Sequence, residues 1–256
     1  MDYLTEVISY YRLSNIDLFL AFLAALILGM GKAGVKGLGV VIVTLMAMVF
    51  GGKASTGVLI PLMILADIFA VIYYHRHTQW KYMGKLLPMM VIGVLIGVWF
   101  GNDISEALFK LLMAVFILGT VVIMFWMDLR KTPIEIPKHW AISSGMGLLS
   151  GITSMIGNLA GSFANIYFLA MRLPKNEFIG TAAWLFFIIN VFKLPFHIFV
   201  WKTVTRDSLL LNLLLVPGIV IGFFMGIAII KAINNALYRK FVLIVTAIGA
   251  LMILFR

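Results

Sequence analysis

The chain contains no cysteine, and only 12% of its 256 residues are charged. The first absence excludes disulfides, thiol nucleophiles and thiolate metal sites together. The second excludes an ordinary soluble domain, which carries about twice that share of charged residues and is about half apolar. Here 63% of the residues are hydrophobic and the mean hydropathy is +1.09. This composition is typical of a chain embedded in a lipid bilayer.

Long polar stretches are also scarce. The longest segments that could lie outside lipid are residues 1–16, 75–85 and 128–139, and none could fold alone. Basic residues outnumber acidic ones by 20 to 10, but they stand singly between apolar runs, which indicates membrane topology and not nucleic-acid binding. No nucleophile–base pair or metal-ligand cluster stands at useful spacing, so we predict neither enzyme activity nor a cofactor. The acidic N-terminus does not resemble a cleavable signal peptide.

Apolar segments fall into two sets of five. Those of the first half are residues 17–30, 38–50, 56–74, 86–101 and 106–127, and those of the second are 140–156, 159–171, 178–200, 208–230 and 236–255. A Pro-x4-Gly-x3-Gly pattern beginning at Pro88 recurs at Pro217, 129 positions later. A glycine ten residues before Asp67 is matched by one ten residues before Asn190, 123 positions later. This ordered set of matches indicates an internal duplication.

The duplication predicts the architecture. We expect an all-α membrane protein built from two homologous repeats, residues 1–130 and 131–256, in one integrated transmembrane domain. Repeats with an odd number of crossings are inverted relative to one another, a common construction of secondary transporters. Basic residues in 76–85 and 128–139 place both segments in the cytoplasm, although Lys202 and Arg206 then fall outside. This spacing predicts a multi-pass protein of the cytoplasmic (inner) membrane.

Glycine-rich joins follow the first segment of each half, at 29–39 and 151–161. The segments around the first join have about 13 or 14 residues, so they are candidates for broken or re-entrant helices. Paired segments of this kind point to a transporter binding site, although close helix packing is the alternative for each glycine. The residues predicted to bind substrate are Gly29, Gly31, Lys32, Gly34, Lys36, Gly37, Ser154, Gly157, Asn158, Gly161, Ser162 and Asn165.

These joins resemble those of the sulfite exporter TauE/SafE family of membrane permeases. The stretches that follow them, 53–57 and 174–181, resemble the next part of the family pattern. The chain departs from that pattern in lacking consecutive glycines and in placing lysines at 32 and 36. The resemblance covers nearly the whole chain and implies transport of sulfite, a sulfonate or another small anion.

Polar side chains within the apolar segments are candidates for function, because an ionisable group in mid-membrane costs about 2.5–3.5 kcal/mol on insertion scales. Lys32 and Lys36 either contact a bound anion or extend to the membrane surface. Asp67, Asn190 and Lys193 are assigned to coupling or gating. Asp67 and Lys193 form either a buried ion pair of structural use, or a site in which Asp67 carries a proton coupled to transport.

A second polar group follows the join of the second half. The spacing of Asn158, Ser162 and Asn165 predicts that they share one helix face, where they bind substrate oxygens or another helix. We therefore predict a secondary carrier of a small anion that works by alternating access, through rocking of its two halves. Coupling of anion transport to protons or another ion is compatible with this mechanism. The alternatives are an anion channel and a membrane assembly factor, and the oligomeric state is not predicted.

Overall fold

A computed structural model describes residues 13–35, 37–109 and 140–234, with single positions at 11, 111, 112, 115, 116, 119, 122 and 237. Helix makes up 86% of the structure, and the described residues contain no strand. Lys36, most of the predicted segment 106–127 and nearly all of 236–255 lie outside the described residues, as does the side chain of Ser162. The helices are α1 (Asn15–Lys32), α2 (Gly39–Phe50), α3 (Gly52–Tyr74), α4 (Trp80–Asn102), α5 (Trp140–Gly157), α6 (Gly161–Ala170), α7 (Lys175–Pro195) and α8 (Arg206–Ala232).

Helix length separates two kinds of element. Within the described chain, α1, α3, α4, α7 and α8 are long and apolar enough to cross a membrane. The 12 residues of α2 and the 10 residues of α6 extend only about 18 and 15 Å, half of a hydrocarbon layer. The predicted loop 75–85 is shorter than expected, because α3 continues into a 3-10 turn at His75–His77 and α4 already begins at Trp80.

Polar side chains fix several helix ends. Ser14 and Asp17 form a reciprocal capping box at the start of α1, and Thr205 and Ser208 form another at the start of α8. At the start of α3, the Glu106 carboxylate accepts hydrogen bonds from the backbone N–H groups of residue 52, at 2.6 Å, and residue 53, at 3.3 Å. These contacts satisfy N–H groups that have no acceptor within their own helix.

The helices α3 and α7 pack against each other in antiparallel orientation. A Cβ atom on Gly57, near the start of α3, would overlap the Thr203 carbonyl just beyond α7. At the opposite end, a Cβ atom on Gly180 would lie 2.7 Å from the Tyr74 carbonyl oxygen, and the Thr78 hydroxyl donates to the Gly180 carbonyl. Each of the two helices therefore begins where the other ends.

The helices α1 and α8 pack in parallel along a line of glycines. A Cβ atom on Gly222 would overlap the backbone of Leu26, and one on Gly226 would lie 2.9 Å from the Met30 carbonyl oxygen. Because both contact positions advance by four residues, the two helices run in the same direction. Small residues at such spacing allow backbone-to-backbone packing between membrane helices.

The helices α4 and α5 make the same kind of parallel contact. Gly151 of α5 lies against Met90 and Gly93 of α4, and a Cβ atom on Gly151 would overlap the Met90 carbonyl. One turn further along both helices, a Cβ atom on Gly97 would lie 2.7 Å from the Cβ of Met155. The two tight helix pairs thus depend on glycines of the repeated sequence pattern.

Replacing Gly151 with alanine is expected to destabilise the protein by about 1–3 kcal/mol, because the added methyl forces α4 and α5 apart. For a chain of this size we expect the thermal midpoint, Tm, to fall by about 2–4 °C per kcal/mol. Gly84→Ala is the matched control, since Gly84 lies in α4 with nothing within 4 Å of an added Cβ. The control should be neutral or slightly more stable, and equal effects of the two substitutions on Tm in detergent would contradict the packing.

Two lysines bind the C-terminal ends of helices. The amino group of Lys53 donates to the Asn102 carbonyl at the end of α4, at 3.0 Å. The amino group of Lys175 donates to the Ile230 and Ile233 carbonyls at the end of α8, at 2.9 and 2.6 Å. Cations stabilise helix C-termini through the unpaired carbonyls and the helix dipole.

Candidate functional site

The middle of the α3–α7 contact is polar. Asp67 of α3 is fully buried, and its two carboxylate oxygens face different helices. One oxygen accepts a 2.7 Å hydrogen bond from the side-chain amide of Asn190 in α7. The other accepts from the Lys32 ammonium at the end of α1, at 2.6 Å. Asp67 and Asn190, which correspond in the predicted repeat, therefore contact each other directly.

Lys193 lies one helical turn from Asn190 and is also fully buried. Its amino group donates to the Ser154 backbone carbonyl at 2.8 Å and to the Asn158 side-chain oxygen at 2.9 Å. Both acceptors belong to the end of α5. A lysine ammonium has three N–H donors, so these two bonds leave one donor for a further acceptor.

Asn158 lies where α5 ends, with a backbone φ of 55°. Asparagine tolerates this left-handed conformation better than most residues, and it is therefore suited to the end of a helix. Its side-chain amide spans two elements, because the nitrogen donates to the Thr56 carbonyl of α3 at 3.1 Å while the oxygen accepts from Lys193. The break between α5 and α6 thus brings the end of α5 against both α3 and α7.

The charges of this cluster do not balance. Lys32, Lys193 and Asp67 together carry a formal charge of +1, and Asp67 is ion-paired with Lys32. The side chain of Lys32 is 11% exposed and its ammonium lies 5.3 Å from the ring centre of Phe186, so it points into the protein and not to the membrane surface. An excess cation in a buried site is unfavourable unless an anion or further acceptors are present.

Two expectations need correction. The ionic partner of Asp67 is Lys32, whereas Lys193 bonds to neutral acceptors on α5, so the expected direct pair of Asp67 with Lys193 is replaced. Asn158 and Asn165 do not share a helix face, because the chain breaks between Gly157 and Gly161. The cause is the left-handed backbone at Asn158, which spacing alone does not reveal.

The glycines of the joins have different surroundings. Gly29 lies in the α1–α8 contact, where the backbone of α8 occupies the space of a side chain. Gly34 and Gly37 have φ angles of 124° and 94°, which L-residues rarely adopt. Close packing therefore accounts for Gly29, and backbone conformation accounts for Gly34 and Gly37. The other substrate candidates that are glycines are Gly31, Gly157 and Gly161, at or beside the ends of α1, α5 and α6.

Two further polar side chains of the second join have atoms without partners. The Ser154 hydroxyl is fully buried and makes no hydrogen bond within the described part of the chain, although its carbonyl binds Lys193. The Asn165 side-chain oxygen in α6 is likewise buried without a donor among the described residues. A ligand beside Lys193 would offer the Ser154 hydroxyl an acceptor.

His197 belongs to the same region and was not singled out from the sequence. It is fully buried in a π-helical turn after α7, and one ring nitrogen, Nδ1, lies 2.8 Å from the Thr203 hydroxyl. The sequence signal for His197 is its spacing, since it follows Lys193 by four positions, which places the two residues on one face of a helix. The part of the chain that the structure describes holds no group of three His, Cys, Asp or Glu side chains that could bind a metal ion.

A family model described as sulfite exporter TauE/SafE matches residues 7–253, nearly the whole chain. No curated protein and no solved structure matches the chain significantly. The match spans both halves and every helix of the central cluster.

Proposed function

Because the chain belongs to the sulfite exporter TauE/SafE family of multi-pass membrane transporters, we propose that it carries sulfite, an organosulfonate or a related small oxyanion by alternating access. The membrane that its basic residues favour is the cytoplasmic membrane. Membership of this family is consistent with a small anion as the substrate and with a location in the lipid bilayer. The proposal also covers the anion-binding residues, the coupling of transport to protons and the inverted arrangement of the two repeats.

Lys193 carries the proposal. It is a fully buried amino group between membrane-spanning helices, it has a third donor available, and its two acceptors are neutral. Asp67 lies nearby but already neutralises Lys32. An oxyanion that accepted a hydrogen bond from Lys193 would supply the missing negative charge, and such charge-assisted bonds are the stronger kind.

The remaining ligands of the anion would come from the end of α5. The buried Ser154 hydroxyl, which has no partner among the described residues, can donate to a second oxygen of the anion. Asn158 holds Lys193 in place, since its side-chain oxygen binds the amino group and its nitrogen binds α3. We therefore assign Lys193 and Ser154 to the anion and Asn158 to the positioning of Lys193.

The repeats are proposed to be inverted, with residues 1–130 and 131–256 as the two units. Antiparallel packing supports this, because α3 and α7 occupy equivalent places in the two halves. The parallel pairs support the inversion too. The same inversion places α1 on α5 and α8 on α4, so the α1–α8 pair corresponds to the α5–α4 pair. Lys53 and Lys175, 122 positions apart, bind the ends of the equivalent helices α4 and α8. Inverted repeats place the substrate at their interface.

Alternating access fits the burial of the cluster. Asp67 and Lys193 are both fully buried, whereas an open channel would need a continuous passage beside them. The Lys32–Asp67 ion pair is proposed to couple transport to a proton, since protonation of Asp67 would break the pair. The charge left on Lys32 would then add to the attraction for the anion.

Uptake by liposomes tests transport. Purified protein in liposomes is expected to take up labelled sulfite or sulfoacetate saturably, with sulfate as a comparison and with or without a pH gradient. Unlabelled substrate inside the liposomes should accelerate uptake, because a loaded carrier returns without waiting for an empty reorientation. Uptake without this acceleration would indicate an anion channel. Absence of uptake of every anion by folded protein would contradict the proposal and favour a role in assembly.

A further inference from the structure

A second candidate site lies outside the central cluster, in a cavity of about 330 Å³ between α3 and α8. Its walls are mostly aliphatic. The side chains that form them include Pro61, Leu62, Leu65, Leu209, Leu213 and Val216. Two polar residues of α8 also line the cavity: Asn212 within it and Arg206 at the exposed start of the helix. The cavity is thus apolar along its length and cationic at one end.

Asn212 has no partner for either polar atom of its side chain. The residue is 5% exposed, and neither the amide oxygen nor the amide nitrogen makes a hydrogen bond with the described residues. Burial of an amide without partners is unfavourable, and native proteins rarely leave one unpaired. Arg206 likewise makes no ion pair or hydrogen bond within the described part of the chain. Both groups are therefore available to a ligand in the cavity.

The equivalent place in the other half is filled. Pro61 corresponds to Trp184, 123 positions later, and Leu209 corresponds to Trp80, 129 positions earlier. The rings of Trp80 and Trp184 pack together with their centres 5.3 Å apart, between α4 and α7. Asn212 corresponds to Met83, a buried apolar residue. The fold itself therefore does not require an unpaired amide at this place, and this sequence provides one between α3 and α8.

We propose that the cavity binds an acyl chain of an anionic phospholipid, with the lipid phosphate on Arg206 and a lipid ester carbonyl accepting from the Asn212 amide. The cavity opens towards lipid, because Leu209 and Leu213 on its rim are 47% and 67% exposed on a membrane-spanning helix. Arg206 precedes Asn212 by six residues, about 9 Å of helix. A phosphate at the membrane surface and an ester group deeper in the bilayer fit that separation.

The charge of Arg206 also favours an anionic lipid. The orientation that most basic residues favour places Arg206 on the opposite side from them, so topology does not account for it. Arg206 is the first residue of α8, where the positive end of the helix dipole adds to the attraction for a phosphate. A neutral lipid would use the aliphatic walls equally well but would gain less from this end of the cavity.

Lipid binding to delipidated protein in a neutral detergent tests the site. Native mass spectrometry should count one tightly bound phosphatidylglycerol, held more tightly than phosphatidylcholine with the same acyl chains, and phosphatidylglycerol should raise Tm. Arg206→Gln is expected to lower the affinity for phosphatidylglycerol about fivefold, towards that for phosphatidylcholine. Lys231→Gln, at the other end of α8, is the matched control and should leave the preference intact.

Asn212→Met tests the cavity itself, because it copies the buried Met83 of the other half. This variant should unfold at a higher Tm than the lipid-free parent and lose the rise in Tm produced by phosphatidylglycerol. The proposal is overturned if the two lipids bind equally to the parent protein. It is also overturned if Asn212→Met binds phosphatidylglycerol as the parent does. Neither measurement depends on transport, so the lipid site and the transport proposal fail independently.

Discussion

Lys193→Met is expected to reduce anion transport about 100-fold or more, while Tm changes by no more than a few degrees. Transport falls because the anion loses its buried cationic ligand, a type of loss that costs about 2–5 kcal/mol. Stability is largely retained because removal of a buried charge that has no ionic partner offsets the loss of its hydrogen bonds to Ser154 and Asn158. Uptake of labelled sulfite by liposomes and thermal unfolding in detergent measure the two quantities.

Lys175→Met provides the control for this experiment. Like Lys193, Lys175 donates two hydrogen bonds, but both go to backbone carbonyls at the end of α8, away from the central cluster. Its replacement should lower Tm and leave transport per folded protein near normal. If Lys193→Met instead lowers Tm and transport in proportion, Lys193 has a structural role and the assignment of the anion site fails.

Asp67→Asn is expected to destabilise the protein by about 3 kcal/mol, because it leaves the Lys32 ammonium largely buried without its carboxylate. For a chain of this size we expect Tm to fall by about 6–12 °C. Lys32→Gln alone should also be destabilising, since it leaves the buried carboxylate with Asn190 but without its cation. The double variant Asp67→Asn/Lys32→Gln should recover most of the lost stability, because both charges are removed together.

The double-mutant cycle separates this ion pair from unrelated effects of each substitution. Purely additive changes in unfolding free energy would contradict a direct interaction between Lys32 and Asp67. The same double variant tests coupling, since it is expected to fold. Sulfite uptake that still responds to a pH gradient in this variant would reject Asp67 as the proton carrier, whatever the stability results.

Sequence patterns were sufficient to predict which polar residues lie buried at the centre, but not which of them pair. Asp67 and Lys193 stand out because charged groups are costly inside apolar helices. Their partners depend on the rotation of four helices about their axes, which hydropathy and spacing do not determine. The sequence offers more than one cation at similar depth, and only the packing of α1 against α3 selects Lys32 for Asp67.

The helix break at Asn158 shows a second limit of the sequence. A run of small and polar residues from 151 to 161 predicts an interruption of the helix but not its position. Asn158 adopts a left-handed backbone because its side chain bonds to Thr56 and Lys193, both distant in sequence. Local propensity favours such a conformation in asparagine only weakly, and tertiary contacts decide it.

The glycine patterns predict a repeat, but they do not reveal whether a given glycine contacts a ligand or allows helix packing. The pattern beginning at Pro88 and Pro217 predicts that α4 and α8 are equivalent helices. Both alternatives for a glycine, ligand contact and helix packing, produce the same spacing in the sequence. For Gly29 and Gly151, neighbouring backbone occupies the space of a side chain, so close packing is the constraint on these two positions.

The two glycine-packed helix pairs have a mechanical consequence. Each pair joins one helix from residues 1–130 to one from residues 131–256: α1 with α8, and α4 with α5. Backbone contact this close resists sliding, since even a methyl group would have to push the helices apart. A motion that keeps both pairs intact would move α1 together with α8 and α4 together with α5. Each moving body would then contain helices from both halves of the sequence. Under the proposed alternating access, neither half of the sequence alone would then form a complete moving part.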